Sequence, residues 1–403
     1  MKIDIPDSVK YIIRQLENAG YEAWAVGGCV RDSLMGRIPK DWDITTSALP
    51  DRIKSIFKRT IDTGIEHGTV TVMIDGVGYE TTTYRIDGKY SDSRHPDSIE
   101  FTRSLNEDLK RRDFTINAMA YSDTKGLVDL FGGVSDLKNR IIRCVGDPSE
   151  RFAEDALRIL RAIRFSTQLG FEVDPHTMKA TSKLKDRLNK ISAERIHSEL
   201  EKILMSPHPD KLRLIHTSGI DGVILPGLAR AVQEDPTVLR KICDTLRTAP
   251  LNSHIRWSAL LSMSGSGTDI LRILKFDNNS IRTVSELLRL ESVPLTGLTD
   301  AQMRHVMNDA GAAMMSLLFE YRKTVFPDVD LSEAEAQYLA ILERGDCTCI
   351  KDLKINGHDL LSSGVPSGAA VGNTLKALLE EVLNDPALND KELLLKKVSH
   401  LRG

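Results

Sequence analysis

The segment Ala25–Ser47, AVGGCVRDSLMGRIPKDWDITTS, decides how the N-terminal part of the chain folds. The run EAWAVGG leading into the glycine pair reads as a strand, CVRDSLMG as a short helix closed by Gly36, and DWDITTS as a second strand. Side chains at i and i+2 of a strand share a face, so Asp41 and Asp43 are expected to project together while Trp42 turns into the core. Two ionised carboxylates so placed repel each other unless a cation lies between them. An oxygen-only pair suits Mg²⁺, which takes one or two protein carboxylates and completes its shell with waters and phosphate oxygens. Gly27 and Gly28 lack Cβ atoms and admit a polyphosphate to the backbone, the helix beginning near Cys29 aims free N–H groups at that spot, and Arg31 adds a cation. Taken singly, a D-x-D is often a solvated strand edge and a Gly-Gly a plain turn. Strand, glycine turn, Arg-bearing helix and acid-bearing strand in succession are more restrictive, and together they point to metal and phosphate.

Outward from this segment, a helix is expected from about Pro50 to Phe57. HGTVTVMIDGVGYETTTYR then gives two β-rich runs split by Asp75-Gly76, a hairpin signal that completes a small sheet and places Glu80 on a strand neighbouring the acids. The polar stretch from Arg85 to Pro96 has little to bury and is expected to be a mobile loop. SLNEDLKRRDFTINAMAYS is read as helical, with Arg111, Arg112 and Asp113 opening a helix. From Pro148, SERFAEDALRILRAIRFSTQLGF places Phe152, Ala156, Ile159, Leu160 and Ile163 on one helical stripe. SAERIHSELEKILMS follows, with Ser192 as N-cap and Arg195 and Glu199 one turn apart. Amphipathic helices continue to the C-terminus, interrupted at LTGLTDAQ, VFPDVDLS and SSGVPSGAAVG. The expected fold class is therefore α+β, a mixed head of about 145 residues joined to an all-α remainder.

The bulk properties fit that division. A length of 403 residues favours two to four domains. Hydrophobic residues at 41% and charged ones at 28%, with no long apolar run, predict a soluble chain with no membrane partner. The start lacks the basic end and apolar core of a secretory signal. Five scattered cysteines make no disulfide framework, so a cytoplasmic location is expected, and Cys347 and Cys349 read as two ordinary thiols. With a net charge of −3, any nucleic acid must be held by a local basic surface. Lys183, Lys185, Arg187 and Lys190 are one candidate for phosphate contacts, although such a run is often only a solvated face.

The stretch EDALR adds a specificity argument. If it is helical, Asp155 and Arg158 share a face and Arg161 and Arg164 extend the row. Asp offers only acceptors and Arg only donors. Cytosine and adenine each present an amino donor beside a ring acceptor, which matches the pair. Uracil and guanine present the reverse and would leave the charged groups unpaired. A surface ion pair is the usual role of such residues, and the acids upstream tip the balance towards base reading.

The glycine turn with paired acids resembles the nucleotidyltransferase superfamily that includes the polymerase-beta-like enzymes. GGCVRD with DWDI, RRDFTINAMA, DLFGG, EDALRILRAIRF and ISAERIHSELEKIL occur in order over roughly the first half of the chain, with LKINGHDL near the end. This series is similar to the class II tRNA nucleotidyltransferases, the bacterial CCA-adding enzymes and their poly(A) polymerase relatives. The resemblance implies a polymerase-beta-like head (1–147), neck helices that recognise the base (148–205), a helical body (206–328) and a helical tail that binds tRNA (329–403). It implies attack of an RNA 3′-hydroxyl on the α-phosphate of CTP or ATP with release of pyrophosphate, assisted by two metal ions about 3.5–4 Å apart. Asp41 and Asp43 would be their ligands, and Glu80 a third acid or a base for the hydroxyl. Gly28, Arg31 and Arg112 would bind nucleotide, Asp113 and Asn117 would lie near the sugar, Asp155 and Arg158 would read the base, and Arg161 and Arg164 would add further nucleotide contacts. The loop 85–96 would be the moving part that lets one pocket add two C and then one A, and the tRNA would be gripped by its acceptor and T arms. Two other readings are open: an A-adding enzyme or poly(A) polymerase with the same site, and a silent RNA-binding protein, against which the intact acids speak. His358-Asp359 lacks partner histidines for a metal phosphohydrolase.

Overall fold

The computed structural model describes residues 2–88 and 99–400. The chain forms two compact units, Met1–Arg247 with Ser264–Phe276, and Thr248–Met263 with Asp277–Gly403.

The first unit opens with α1 (Asp7–Asn18), whose Val9, Ile12, Ile13 and Leu16 recur at helical spacing and are fully buried. Its partners are strands β1 (Ala23–Val26), β2 (Asp43–Thr46), β3 (Thr60–Gly64), β4 (Thr69–Ile74) and β5 (Val77–Thr83), later joined by two more. Between the first two lies α2 (Gly28–Leu34), and α3 (Pro50–Ile56) follows β2 with Pro50 in its first turn. β1 shows why the sheet is central: Ala23 and Ala25 pack into the cluster that holds α1, whereas Trp24 and Val26 face a second cluster with Tyr84 and Leu109. Both faces are covered, which explains an apolar strand without polar alternation. The β4–β5 hairpin turns at Asp75 (φ 49°) and Gly76 (φ 81°), the left-handed pair that a tight two-residue hairpin requires.

The loop expected from Arg85 to Pro96 is in part strand: β6 (Arg85–Asp87) pairs antiparallel with β7 (Ile99–Phe101). Residues 89–96 of that loop lie outside the described residues.

The helix expected through SLNEDLKRRDFTINAMAYS is a correction. Only α4 (Leu105–Lys110) is helical, begun by Ser104, whose side chain accepts from Glu107 N–H, and capped by Arg111. The two arginines and Asp113 therefore follow a helix and do not open one. Thr115–Asn117 make a 3₁₀ turn, and MAYS is β8 (Met119–Ser122), pairing with β1 on one side and β9 (Gly126–Asp129) on the other. Burial between two strands overrides the helical tendency of Met and Ala. The sheet order is β3-β4-β5-β2-β1-β8-β9. Beyond it, α5 (Gly133–Asn139) is started by Asp129, which accepts from the Gly133 and Val134 N–H groups.

A second correction concerns the neck. The apolar stripe is present, with Phe152, Ala156, Ile159, Leu160 and Ile163 all fully buried, but it spans two helices. α6 (Pro148–Glu154), capped by Asp147, ends at Asp155 in extended backbone (φ −131°, ψ 105°), and α7 (Leu157–Leu169) begins afresh. Asp155 accepts from Leu157 N–H at 3.0 Å, so an acid that caps its own chain interrupts the helix. α8 (Pro175–Leu184) and α9 (Ala193–Leu204) complete the packing, α9 against α7. Ser192 holds the N-cap position of α9 but makes no side-chain capping bond.

The second unit is helical. Helices Ser253–Met263, Asn278–Arg289, Asp300–Ala310, Ala312–Val325 and Ser332–Arg344 enclose Ile255, Leu287, Met303, Phe319 and Tyr338. Helices Gly357–Ser362, Ala369–Asn384 and Lys391–His400 gather Leu360, Leu378, Val382 and Leu394. Buried Arg304 ties the two groups, donating to the Leu383 carbonyl and to Asp346. Among the described residues no helix is long and apolar enough to cross a membrane.

Candidate active site

The pairing of β1 with β2 places Val26 opposite Asp43, so the glycine turn leaving one strand and the acid starting the next meet at one edge of the sheet. Gly27 has φ +82°, and a Cβ there would lie 3.3 Å from Arg112 Nη1. Its N–H donates to the Met119 carbonyl and its own carbonyl accepts from Arg31 N–H, so α2 starts at the turn with its free N–H groups there. Gly27→Ala is expected to lower turnover by at least about tenfold, because φ +82° with ψ −126° is a backbone region that only glycine adopts freely, costing another residue on the order of 1–3 kcal/mol, and because the added methyl presses on Arg112. A single-turnover incorporation assay beside a thermal melt checks this; wild-type turnover would contradict it.

Asp41 does not lie on the strand with Asp43. β2 begins at Asp43 because β1, its ladder partner, ends at Val26. Asp41 and half-buried Trp42 form the incoming segment, so strand alternation does not set the direction of Asp41. The acids are nonetheless coupled. Asp43 keeps an exposed surface, yet its carboxyl is pushed above the usual range, first by protein atoms displacing water, then by Glu80. Arg112 opposes that shift and Asp41 adds to it. Glu80 is on β5, which runs parallel beside β2 with Thr81 opposite Ile44. Carboxylates crowded without enough compensation are a fit environment for a divalent cation. Among the described residues no three His, Cys, Asp or Glu side chains converge as a ligand set.

Behind the turn runs a chain of fixed polar groups. Arg31 donates to Asp32 at 2.9 Å and to Asn117 Oδ1 at 2.7 Å, and Asn117 Nδ2 donates to Asp113 Oδ1 at 3.1 Å. Asp113 Oδ2 accepts from Arg161 Nε at 2.8 Å. Burial would raise the Asp113 carboxyl, but Arg161 and the Asn117 hydrogen bond outweigh it and hold the group well below the carboxylate range. Asp113 therefore has both oxygens engaged by protein. Asp108, not singled out in the sequence, is fully buried and accepts from Arg111 Nε (3.0 Å), Arg112 Nη2 (3.2 Å) and Thr45 Oγ1 (3.1 Å). Burial pushes its carboxyl up, and Arg112 and Arg111 prevail and lower it. Its signal was there to find in an Asp three and four residues ahead of two arginines.

The neck residues line a pocket of about 240 Å³ made by Arg111, Arg112, Asp113, Asp155, Leu157, Arg158, Arg161 and Arg195. The expected pairing of Asp155 with Arg158 on one helical face is a correction: Asp155 lies in the break before α7. Arg158 donates to Glu154 (2.6 Å), the Arg111 carbonyl (2.9 Å) and the Arg151 carbonyl (3.3 Å). Asp155 instead accepts from Arg195 Nη2 at 2.8 Å. Both still face one pocket. Arg161 and Arg164 do share α7, and with Arg31 they surround the Phe165 ring at 5.3, 4.2 and 5.3 Å from its centroid, respectively. Burial and then the Arg161 charge bring Arg164 down to about 10, partly offset by Glu199, whose Oε2 lies 3.0 Å from Arg164 Nε. Gly28, Arg31, Asp43 and Arg112 gather at the turn, and Asp155, Arg158 and Arg161 line the pocket beside it. A larger cleft of about 690 Å³, lined by Glu17, Glu22, Arg103 and Lys125, lies at the other end of β1, where its own acids and cations balance, away from the carboxylates.

The chain matches three family models: "Poly A polymerase head domain" over residues 23–143, "Probable RNA and SrmB-binding site of polymerase A" over 170–232, and tRNA nucleotidyltransferase domain 2 over 251–398. It is 39% identical to the CCA-adding enzyme of Limosilactobacillus fermentum over 97% of this chain and 96% of that one. It is also 39% identical to that of Ligilactobacillus salivarius, over 99% and 98%. The structure of the Bacillus stearothermophilus CCA-adding enzyme in complex with CTP superposes with a TM-score of 0.83 at 33% identity, covering 98% of this chain and 96% of that one. The Thermotoga maritima CCA-adding enzyme complexed with tRNA shares the fold at a TM-score of 0.63, with 20% identity and full coverage of both chains. With the glycine turn, the coupled acids and the arginine-lined pocket in place, these matches assign the chain to the CCA-adding enzyme family of tRNA nucleotidyltransferases.

Proposed function

We propose that the protein adds C, C and A in turn to the 3′ end of tRNA from CTP and ATP without a nucleic-acid template, releasing pyrophosphate. The observation that carries this reading is the meeting of Asp43 with the glycine turn, where Val26 pairs with Asp43 and the Arg112 guanidinium comes up against Gly27. Asp41 and Asp43 would hold two divalent ions, Mg²⁺ by the hardness of the donors, and these would supply charge neutralisation at the phosphate and a more acidic attacking hydroxyl. Gly28 and the start of α2 accept the triphosphate, with Arg31 and Arg112 as its fixed cations. Arg31 is held by Asp32 and Asn117 and Arg112 by Asp108, so neither needs to reorganise when the charge arrives. Arg161 and Arg164 add positive potential along α7.

The base is read in the neck pocket. Each Asp155 oxygen accepts one hydrogen bond from protein, which leaves acceptor capacity for the amino group of cytosine or adenine. Arg158 retains donors for the adjacent ring acceptor. In this reading residues 1–147 form the catalytic head, 148–205 the base-reading neck, and 206–328 and 329–403 the body and tail that grip the tRNA acceptor and T arms by A-form shape.

Ionised Asp43 is the form that receives a cation, so protons and the divalent ion compete for it, and raising Mg²⁺ should move the acid limb of turnover to lower pH. The sign for stability is opposite. A carboxyl raised in the fold stabilises it while protonated, and that contribution is lost as pH rises through the raised value. An acid limb that stays in place as Mg²⁺ is raised would contradict the assignment.

Incorporation on tRNA lacking its terminal CCA, with each of the four triphosphates supplied singly and with CTP and ATP together, tests the function. Addition of C and then A, with little U or G, is expected. Absence of CTP incorporation would leave an A-adding enzyme or poly(A) polymerase.

A further inference from the structure

Asp155 stands in extended backbone between two helices, so no helical register fixes where its carboxylate points. Two contacts do so. The Leu157 N–H holds Oδ1 from the chain's own next turn at 3.0 Å, and Arg195, reaching across from α9, holds Oδ2 at 2.8 Å. Both residues line the same pocket, with side chains 17% (Asp155) and 24% (Arg195) exposed, so the pair is partly shielded from water. Arg195 Nη1 is buried and has no hydrogen-bond partner among the described residues, so this guanidinium is held by the carboxylate alone on that side. One turn further along α9, Glu199 stands against Arg164. The helix thus reaches both the acid and an arginine of the proposed nucleotide site.

We infer that Arg195 is a specificity-determining positioning residue: it anchors the Asp155 carboxylate in the orientation in which its free lone pairs face the base amino group. The inference rests on the reading of Asp155 as the acceptor that selects C and A. An acceptor that selects by hydrogen bonding must be held where the donor arrives, because a carboxylate free to rotate can turn away from a uracil carbonyl and so cease to reject it. Without Arg195, the cations left around Asp155 in this pocket are Arg111, Arg112, Arg158 and Arg161. A turn of the carboxylate towards Arg158 joins acceptor to donor and withdraws both from the base. Arg195 would accordingly act on the choice of base more than on the rate of transfer.

The test compares CTP with UTP in single-nucleotide addition to tRNA lacking CCA, for the wild-type chain, Arg195→Met, Arg195→Lys and Asp155→Asn. Arg195→Met keeps length and apolar contact and removes the charge. The kcat/KM ratio of CTP to UTP should fall by at least about tenfold, with kcat for CTP falling less. Arg195→Lys should recover part of the ratio, as a point charge without the planar fork. Loss of structure alone would lower both substrates together and leave the ratio unmoved, and that outcome overturns the inference. If Asp155→Asn relaxes the ratio while Arg195→Met and Arg195→Lys do not, the positioning role falls and base reading by Asp155 stands. An unchanged ratio in Asp155→Asn overturns the reading beneath it. Should Arg195→Met fail to fold, a wild-type ratio in Arg195→Lys would contradict the need for the planar guanidinium and overturn the inference as well.

Discussion

Asp43→Ala is expected to reduce nucleotide incorporation by at least about 10³-fold, and Asp41→Ala to do the same, with tRNA affinity within about threefold of wild type. The size follows from what the carboxylates are asked to do. Charge neutralisation by metal at a transferring phosphoryl group supplies several kcal/mol, and each 1.4 kcal/mol is about tenfold in rate. The fold should tolerate Asp43→Ala, since it removes a carboxylate already pressed by Glu80 and by the loss of water. Asp41 lies before β2 and is exposed, so its loss should also leave the sheet intact. Single-turnover incorporation with tRNA held above saturation, alongside a tRNA binding titration, checks both variants. Substantial transfer by either would mean that the ions are held elsewhere.

Asp155→Ala should lower the preference for CTP over UTP by about 10²-fold, because it removes a side-chain acceptor of the pocket that is held in place by Arg195. Arg158→Ala should relax the same preference and cost more in overall turnover. Arg158 also binds Glu154 and the Arg111 carbonyl, the latter one residue before Arg112, so its loss disturbs the cation at the glycine turn. The four-triphosphate assay measures both effects, and unchanged base preference in both variants would remove the protein template from the account.

The parts of this fold that were legible in the sequence share a physical cause: local pattern and burial agree. β1, α2 and the β4–β5 hairpin follow from a short apolar run, the glycine pair that ends it and Asp75-Gly76. The neck stripe was equally plain, since Phe152 to Ile163 bury one face whether the helix is whole or broken. What escaped was decided by partners distant in sequence. MAYS becomes β8 because β1 and β9 wait on either side, and the strand at the acids starts at Asp43 because β1 runs out. The break at Asp155 is local and still hard to see, since an aspartate in an apolar helical run gives little sign that it will cap the next turn.

The candidate site shows the same division. Residue types and spacing along the chain pointed to the acids, the glycines and the arginines of α7. The supports of the site lay far off in sequence or behind its named residues: Asp108 under two arginines, Asn117 between Arg31 and Asp113, and Arg195 on Asp155. Such supports are chosen by geometry across elements, and a one-dimensional pattern carries them only faintly.

The most direct measurement is anomalous diffraction from crystals of the protein with Mn²⁺ in place of Mg²⁺ and a non-reactive CTP analogue. The account predicts a manganese peak between the Asp41 and Asp43 carboxylates and the analogue's phosphates, with the cytosine in the pocket of Asp155 and Arg158. A bound triphosphate with no metal between those side chains and its phosphorus atoms, or a base turned away from that pocket, would contradict it.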